Sequence, residues 1–327
     1  MNYADTKSSF VPTGQGPTVY NNIMQIPRDF SIVDMENYNA KFSSIDDYFT
    51  QYGVTNPYFS LLENGAKGSG QKFFGNAEVN AVVKDWMSIL YRFGFDVENN
   101  SSKYYRAILL PNGINSGSTD DPGFVSNRIA GNKQLNHDVI ASFNKRINRD
   151  LKFDGLAGLN VNQRSTNSVY GSVTGLDIPG FYNLSNSSST PVSTEAESMR
   201  RLIGAYAQAS FSYRDYLFLN LSARNDWSST LPEDNRSFFY PSANASFVFS
   251  ELLPKSSEKY LSFGKLRLGY GLTGNDAPVY VINPVYVSGS VYQPFRTFDF
   301  PLATGVNAIS SNIESGDFDI TAQRSMQ

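Results

Sequence analysis

Leu151-Lys152-Phe153-Asp154-Gly155-Leu156-Ala157-Gly158-Leu159-Asn160-Val161-Asn162-Gln163 alternates along its whole length. Leu151, Phe153, Gly155, Ala157, Leu159 and Val161 fall on one face. Lys152, Asp154, Leu156, Gly158, Asn160 and Asn162 fall on the other. Side chains of a strand point alternately to its two faces, so this stretch predicts a strand with one apolar and one mostly polar face. The run before it repeats the pattern. Val139, Ala141, Phe143 and Ile147 share a face with Lys145, and Asp138, Ser142, Asn144 and Arg146 oppose them. Asn148-Arg149-Asp150 between the runs supplies turn residues, so the two form a hairpin.

Three further pairs follow the same rule. Phe73, Ala77, Val79, Ala81 and Val83 precede a turn at Lys84-Asp85, and Met87, Ile89, Tyr91, Phe93, Phe95 and Val97 follow it. Ile203 to Tyr213 and Leu217 to Ala223 flank Arg214-Asp215. Ala243 to Phe249 and Leu266 to Leu272 are joined by a longer link, Ser250 to Ser262. Between hairpins lie long polar segments, roughly 98–136, 164–200 and 227–238, then everything after about Gly274. Short turns at one rim and long loops at the other are the organisation of bacterial outer-membrane barrels. The strands are expected to run about 11–13 residues, enough for a tilted crossing of a bilayer. The expected fold is all-β, an antiparallel up-and-down transmembrane barrel. The alternative left open by alternation alone is an amphipathic sheet on a soluble core.

Charge placement fits both. Arg92, Asp96, Lys152, Asp154, Arg224, Asp226, Lys265 and Arg267 sit on the polar faces. A charge facing lipid at mid-depth costs roughly 2–4 kcal/mol for Arg or Lys, so the segregated face is a wet lumen or ordinary solvent. Composition agrees: 40% apolar and 14% aromatic residues, with 24 Phe and 20 Tyr, suit aromatic girdles over a polar interior. They also suit a sugar-binding β protein.

The net charge of −3 gives no electrostatic footprint for nucleic acid. Cysteine is absent, which excludes disulfides, thiolate nucleophiles and cysteine metal sites. The start, Met1-Asn2-Tyr3-Ala4-Asp5, has no basic and apolar leader pattern. The expectation from it is a cytosolic chain or one whose first residue is not the true start of its protein, and the strand pattern favours the second.

Little in the sequence carries covalent chemistry. His137, the lone histidine, is expected at the start of a strand as a rim residue rather than in a triad or metal site. Asp46-Asp47, Asp120-Asp121 and Glu233-Asp234 lie in predicted loops, and adjacency does not place two carboxylates across a sugar. Asp120-Asp121 or Asp317 with Asp319 match no complete calcium loop. Gly269-Tyr270-Gly271-Leu272-Thr273-Gly274 lacks the helix a nucleotide loop needs. No enzyme activity, cofactor or metal is expected.

Loop aromatics remain: Tyr104, Tyr105, Tyr170, Phe181, Tyr182, Trp227 and Tyr292. Ring faces stack on sugars and anchor interfaces, though girdle or loop packing is the plainer role. Tyr182 and Trp227, then Tyr104, Tyr105 and Tyr292, are the expected substrate or partner contacts. Thr18 to Gln25 predicts a short helix ended by Pro27. Three regions result: 1–70, an elaborated external loop region with little regular structure; 71–275, barrel hairpins; and 276–327, an external loop and truncated end.

Several segments resemble the SusC/RagA-like TonB-dependent outer-membrane transporters. Gln25-Ile26-Pro27-Arg28-Asp29-Phe30-Ser31-Ile32-Val33-Asp34, Tyr52-Gly53-Val54-Thr55-Asn56-Pro57-Tyr58, Phe74-Gly75-Asn76, Asp85-Trp86 and Tyr91-Arg92-Phe93-Gly94 are similar to family elements in order and spacing. Ser212-Tyr213-Arg214-Asp215-Tyr216-Leu217, Ala223 to Ser229, Tyr240-Pro241-Ser242-Ala243 and Lys265 to Asp276 extend the likeness. It covers roughly residues 20–285 and departs at Trp227, where the family more often has Gly. No plug domain, TonB-box segment or aromatic terminal strand is matched. The resemblance implies about eight strands of a larger plugged barrel, of the kind with 22 strands. It also implies an outer-membrane location and import of oligosaccharides or peptides. A SusD-like lipoprotein lid, TonB acting through the missing plug, and outer-membrane lipid are the implied partners. A soluble or surface-attached glycan-binding adhesin is the alternative.

Overall fold

The computed structural model describes residues 1–11, 18–26, 28, 31–38, 56–109, 121–254, 260–282, 286–288, 290–293, 296–299, 309–311 and 319–326. Strands dominate. In chain order they are β1 (Asn2–Phe10), β2 (Gly65–Lys84), β3 (Met87–Leu109), β4 (Asp121–Arg146), β5 (Leu151–Thr174), β6 (Val192–Tyr213), β7 (Leu217–Ser228), β8 (Ser237–Phe247) and β9 (Leu266–Asn275). Short pieces follow: β10 (Tyr286–Ser288), β11 (Ser290–Gln293), β12 (Arg296–Asp299), β13 (Ile309–Ser311) and β14 (Gln323–Met326). Two short helices, α1 (Val19–Met24) and α2 (Pro57–Glu63), precede β2.

One ten-stranded sheet runs β1-β2-β3-β4-β5-β6-β7-β8-β9-β14, each strand beside its sequence neighbour except the last. This is the up-and-down antiparallel order expected from the hairpins, and all eight alternating runs are strands in it. β1 and β14 are edges, and among the described residues no pairing joins them.

Three features differ from the sequence expectation. Asn2–Phe10, in a stretch read as loop, pairs with β2 from Asn2↔Phe74 to Phe10↔Ala66. Gln323–Met326, in a stretch read as loop and truncated end, pairs with β9. β2 to β6 are 20 to 26 residues long rather than 11–13. Much of the added length carries polar residues on both faces, Glu98 to Lys103 for example, so the alternation of hydropathy does not mark it as strand. Tyr104, Tyr105 and Tyr170 therefore lie on strands, and His137 lies inside β4 rather than at its start. Asp46, Asp47, Tyr52 to Thr55, Asp120 and Asp317 lie outside the described residues.

Local chemistry explains the turns. The Asn148 side chain accepts from the backbone N–H of Asp150 at 2.9 Å and of Leu151 at 2.8 Å, an Asx turn between β4 and β5. Arg214 and Asp215 have φ of 46° and 57°, and the Tyr216 N–H donates to the Tyr213 carbonyl at 3.2 Å. Positive φ at both central residues is the hairpin turn whose twist matches the flanking strands. The Arg214 guanidinium meets Asp150 at 3.1 Å, tying the two neighbouring turns together. Thr18 caps α1 from outside its first turn, and Asn56 caps α2 ahead of Pro57.

The chain divides into two compact units. The first comprises residues 1–75, 96–133 and 165–198, the second 76–95, 134–164 and 199–327. A conventional apolar core exists in the first: Val125, Val173 and Leu176 form one cluster, Phe59, Ala107 and Leu109 another. In the second, the described residues of the sheet's apolar face are exposed. Val79 is 67% exposed, Leu159 58% and Leu268 79%. A soluble sheet would bury that face against a second layer; an uncovered apolar face of this extent calls for lipid.

Candidate functional site

The polar face of the second unit is a hydrogen-bonded wall. Glu78 pairs with Arg92 at 2.7 Å across β2 and β3. The Asn160 amide donates to Asn136 at 3.0 Å and Asp138 at 2.7 Å, and Asn162 donates to Asn136 at 3.1 Å. Ser222 and Ser242 share a hydroxyl hydrogen bond at 2.7 Å.

Its densest part crosses β5 to β8. The register sets Tyr206 opposite Arg224 and Arg224 opposite Tyr240. The Arg224 guanidinium lies 5.4 Å from the Tyr206 ring centre and bonds Asp226 at 2.8 Å. The Tyr240 hydroxyl donates to the same Asp226 carboxylate. Two glycines make the room. A Cβ on Gly158 would stand 2.6 Å from the Tyr206 hydroxyl, and one on Gly204 would run into Arg224 and Asp226. This wall presents charges and amides to a polar solute. Among the described residues no group of three His, Cys, Asp or Glu gathers to hold a metal.

The first unit builds an aromatic platform around α2. Tyr38 meets Phe59 edge-on at 5.6 Å and donates its hydroxyl to Glu63 at 2.6 Å. Tyr182 stacks on Tyr105 at 4.2 Å and donates to the Glu63 carbonyl at 3.1 Å. Burial, then the Glu63 carboxylate, pushes the Tyr38 hydroxyl up to about 12; burial, Glu63 and Tyr105 do the same to Tyr182. Both remain donors across the physiological range. Gly65 lets Tyr105 approach, since a Cβ there would stand 2.7 Å from its hydroxyl.

The expected contact residues divide accordingly. Tyr105 and Tyr182 are brought together, but against each other and the platform. Tyr104, next along β3, lies on the opposite face at 5.7 Å from Phe124, a ring that also carries the Arg106 guanidinium at 5.2 Å. Trp227, near the end of β7, pairs with Ile203 on the apolar face and is 39% exposed. Tyr292 lies on β11, and its side chain is outside the described residues. His137 packs on Phe93 at 4.9 Å and accepts or donates to Tyr91 at 2.9 Å. Sequence reasoning missed Glu63, Tyr38 and Tyr206. The signal for the first was Asn56-Pro57, a helix start inside the region expected to hold little regular structure.

A third cluster ties the end of β9 to the β7–β8 connection. Asp276 receives the Arg200 guanidinium at 2.8 Å, the Thr230 hydroxyl at 3.1 Å and the Ser228 hydroxyl. Burial alone would raise its carboxyl, but the hydrogen bonds from Arg200 and Ser228, with the Arg200 charge and Thr230, outweigh burial and hold it below the usual range.

No family model matches the chain. It is 26% identical over 255 residues to the TonB-dependent receptor P26 of Formosa agariphila, covering 77% of this chain and 25% of that protein. Among solved structures, the RagAB peptide importer in its closed-closed state superposes with a TM-score of 0.67 at 17% identity, covering 98% of this chain and 35% of that one. The RagAB peptide transporter gives 0.64 at 17% identity, over 86% of this chain and 30% of that one. The chain thus spans a quarter to about a third of the relatives it matches. These likenesses bear out the resemblance to SusC/RagA-like TonB-dependent transporters. The open ten-stranded sheet has the fold of a RagA-like outer-membrane barrel. The relatives found bear the names of receptors and transporters, not of enzymes.

Proposed function

We propose that this chain supplies barrel strands to a TonB-dependent importer of oligosaccharides or peptides, and that no covalent step is performed on the cargo. One observation carries the proposal: the sheet turns an uncovered apolar face one way and a wall of paired charges and amides the other. Such a wall lines a water-filled passage at low cost and offers a polar solute successive weak contacts. TonB would supply energy through a plug, and a SusD-like lipoprotein would cap the long connections. Support for that pairing is the likeness to structures named for the RagAB importer; peptide in those names belongs to that protein. Within this reading residues 71–275 are the barrel hairpins, 1–70 and 276–327 elaborate the long-loop side, and Asn2–Phe10 and Gln323–Met326 extend the sheet. Tyr104 is the most favourable of the expected contacts, because it shares its face with Phe124 and Arg106; Tyr182, Trp227, Tyr105 and Tyr292 stand behind it.

The test is uptake. Cells carrying the full-length protein are given fluorescent oligosaccharides and peptides, with and without collapse of the proton gradient. Energy-dependent accumulation that is lost on deleting the gene is expected. Surface binding without accumulation would replace this proposal with the glycan-adhesin alternative.

A further inference from the structure

Part of the sheet's outward face in the first unit is cationic, and the proposed transport does not use it. The outward face is the one that carries the apolar residues. On β1 to β3 its members alternate in register: Tyr3 opposite Phe73, Asp5 opposite Gln71, Lys7 opposite Ser69 and Ser9 opposite Lys67. Ser69 and Ser101 share a hydroxyl hydrogen bond at 2.8 Å, which puts β3 in the same series, and Lys103 follows Ser101 by two residues. A groove of about 630 Å³ runs across these strands and β4, lined by the side chains of Lys7, Lys67 and Lys103 with the two serines.

Three observations bear on what fills it. None of these three lysines has a carboxylate partner among the described residues, whereas Lys72 and Arg106 of the same unit are paired with Asp96 and Asp121. One acid, Asp5, shares the face, a rung nearer Tyr3. On one side of the groove the face becomes aromatic and exposed: Tyr3 is 63% and Phe73 44% exposed. Tyrosine and phenylalanine in that position mark the edge of the hydrocarbon. From Phe73 to Ser69 is four residues, about 13 Å along the strand and about 9 Å of height at a 45° tilt. The groove lies toward the long connections, so this height falls in the headgroup layer of the outer leaflet.

We infer that the groove binds the phosphorylated headgroup of an outer-leaflet lipid, with Lys7, Lys67 and Lys103 around the phosphate and the serine hydroxyls donating to its oxygens. Lysine presents a compact charge suited to phosphate, and basic residues at a membrane surface draw anionic lipid through short-range attraction. The inference rests on the orientation of the barrel wall, not on transport. A protein that imports nothing yet keeps the lipid preference leaves it standing.

The test uses the full-length protein, delipidated in detergent and titrated under native mass spectrometry. The probes are phosphatidic acid, the matching diacylglycerol and inorganic phosphate. Phosphatidic acid is expected to bind at least about fivefold more tightly than diacylglycerol, with the advantage shrinking as salt rises. Lys7→Gln/Lys67→Gln/Lys103→Gln should reduce that advantage at least about tenfold, with the heat-modifiable band checking the fold; if the triple variant does not fold, Lys7→Gln and Lys67→Gln, both exposed, carry the comparison singly. Equal binding of the two lipids overturns the inference, as does a folded variant that keeps the full preference. Inorganic phosphate binding as tightly as phosphatidic acid would make it a free-anion site, and polyglutamate displacing the lipid at lower concentration would make it a protein-docking site; either result also overturns it.

Discussion

The ring of Tyr206 on β6 lies across Gly158 on β5, at a position where a Cβ would stand 2.6 Å from the phenolic oxygen. The neighbouring strand's missing side chain is the seat of the ring, and the ring in turn carries the Arg224 guanidinium at 5.4 Å. Gly158→Val should expel Tyr206 and loosen Arg224 with it. The expected cost is about 1–3 kcal/mol, the range for overpacking. It is read as a lower temperature for loss of the heat-modifiable folded band of the full-length protein. Unchanged heat stability would mean that the ring does not depend on its seat.

Leu219 and Asn220 are adjacent on β7 and face opposite ways, Leu219 toward Ala245 and Asn220 toward Asn244. Arginine at 219 would face lipid and should cost about 2–4 kcal/mol, whereas arginine at 220 would face the polar wall and should be tolerated. The measurement is the fraction of each variant that assembles in the outer membrane. A soluble sheet predicts the reverse scale for Leu219→Arg, since an exposed surface change costs within about 0.5 kcal/mol. Equal assembly of the two variants would remove lipid from the account.

The strands that cross the hydrocarbon were legible because lipid imposes a strict contrast between alternate residues. Val79, Ala81 and Val83 against Glu78 and Asn80 is such a contrast. Beyond the bilayer the constraint lapses. Asn100 and Ser102 on one face and Ser101 and Lys103 on the other continue β3 with polar groups, and nothing in their hydropathy separates strand from loop. β1 and β14 were hidden for the same reason, their partners being distant in sequence. The platform was hidden by chemistry of another kind. Asn56 and Pro57 suit a turn and a helix start equally well, and tertiary contacts, those of Phe59 with Tyr38, Ala107 and Leu109 among them, select the helix.

Tyr38 and Tyr182 hold Glu63 from its side chain and its backbone. Their hydroxyls are raised to about 12 from the ordinary 10.0, so the folded state binds those protons more tightly than the unfolded chain does. The stability they contribute is fully present below about pH 10 and is lost as pH rises through about 12. Hydrogen exchange of Pro57–Glu63 should therefore accelerate between those values, and the late-titrating part of the alkaline absorbance change should shrink when Tyr38 or Tyr182 is replaced by Phe. Tyr182→Phe keeps the stack on Tyr105 and loses one hydrogen bond, at about 1 kcal/mol. If exchange of α2 is indifferent to both alkali and this change, Glu63 is not what holds it.

Asp276 is held below its ordinary range by Arg200 and the two hydroxyls, so its sign is opposite. Its contribution is present above the unfolded carboxyl value of 3.8 and is lost as pH falls through the lower folded value. Asp276→Ala would leave Arg200 partly buried without its counter-ion, at a cost of about 3 kcal/mol. Amide exchange in residues 229–236 should rise in the variant at neutral pH and in the wild type only in acid. A variant with wild-type exchange would show that the β7–β8 connection is fixed by Glu233 to Arg236 alone.

The sheet presents β1 and β14 as edges, and among the described residues no strand pairs with the outer side of either. Hydrocarbon offers the backbone groups of an open edge no partner, at several kcal/mol for each one left unmet, so only a closed barrel is tolerated there. The 327-residue chain expressed alone should therefore fail to insert into lipid vesicles and should aggregate edge to edge. Co-expression with the remaining strands of the full-length protein should rescue it, because both edges then find neighbours. The measurement is protease protection and heat-modifiable mobility after mixing with vesicles. A protected, heat-modifiable band from the chain alone would mean that β1 and β14 find each other or a second copy, and that the sheet closes by itself.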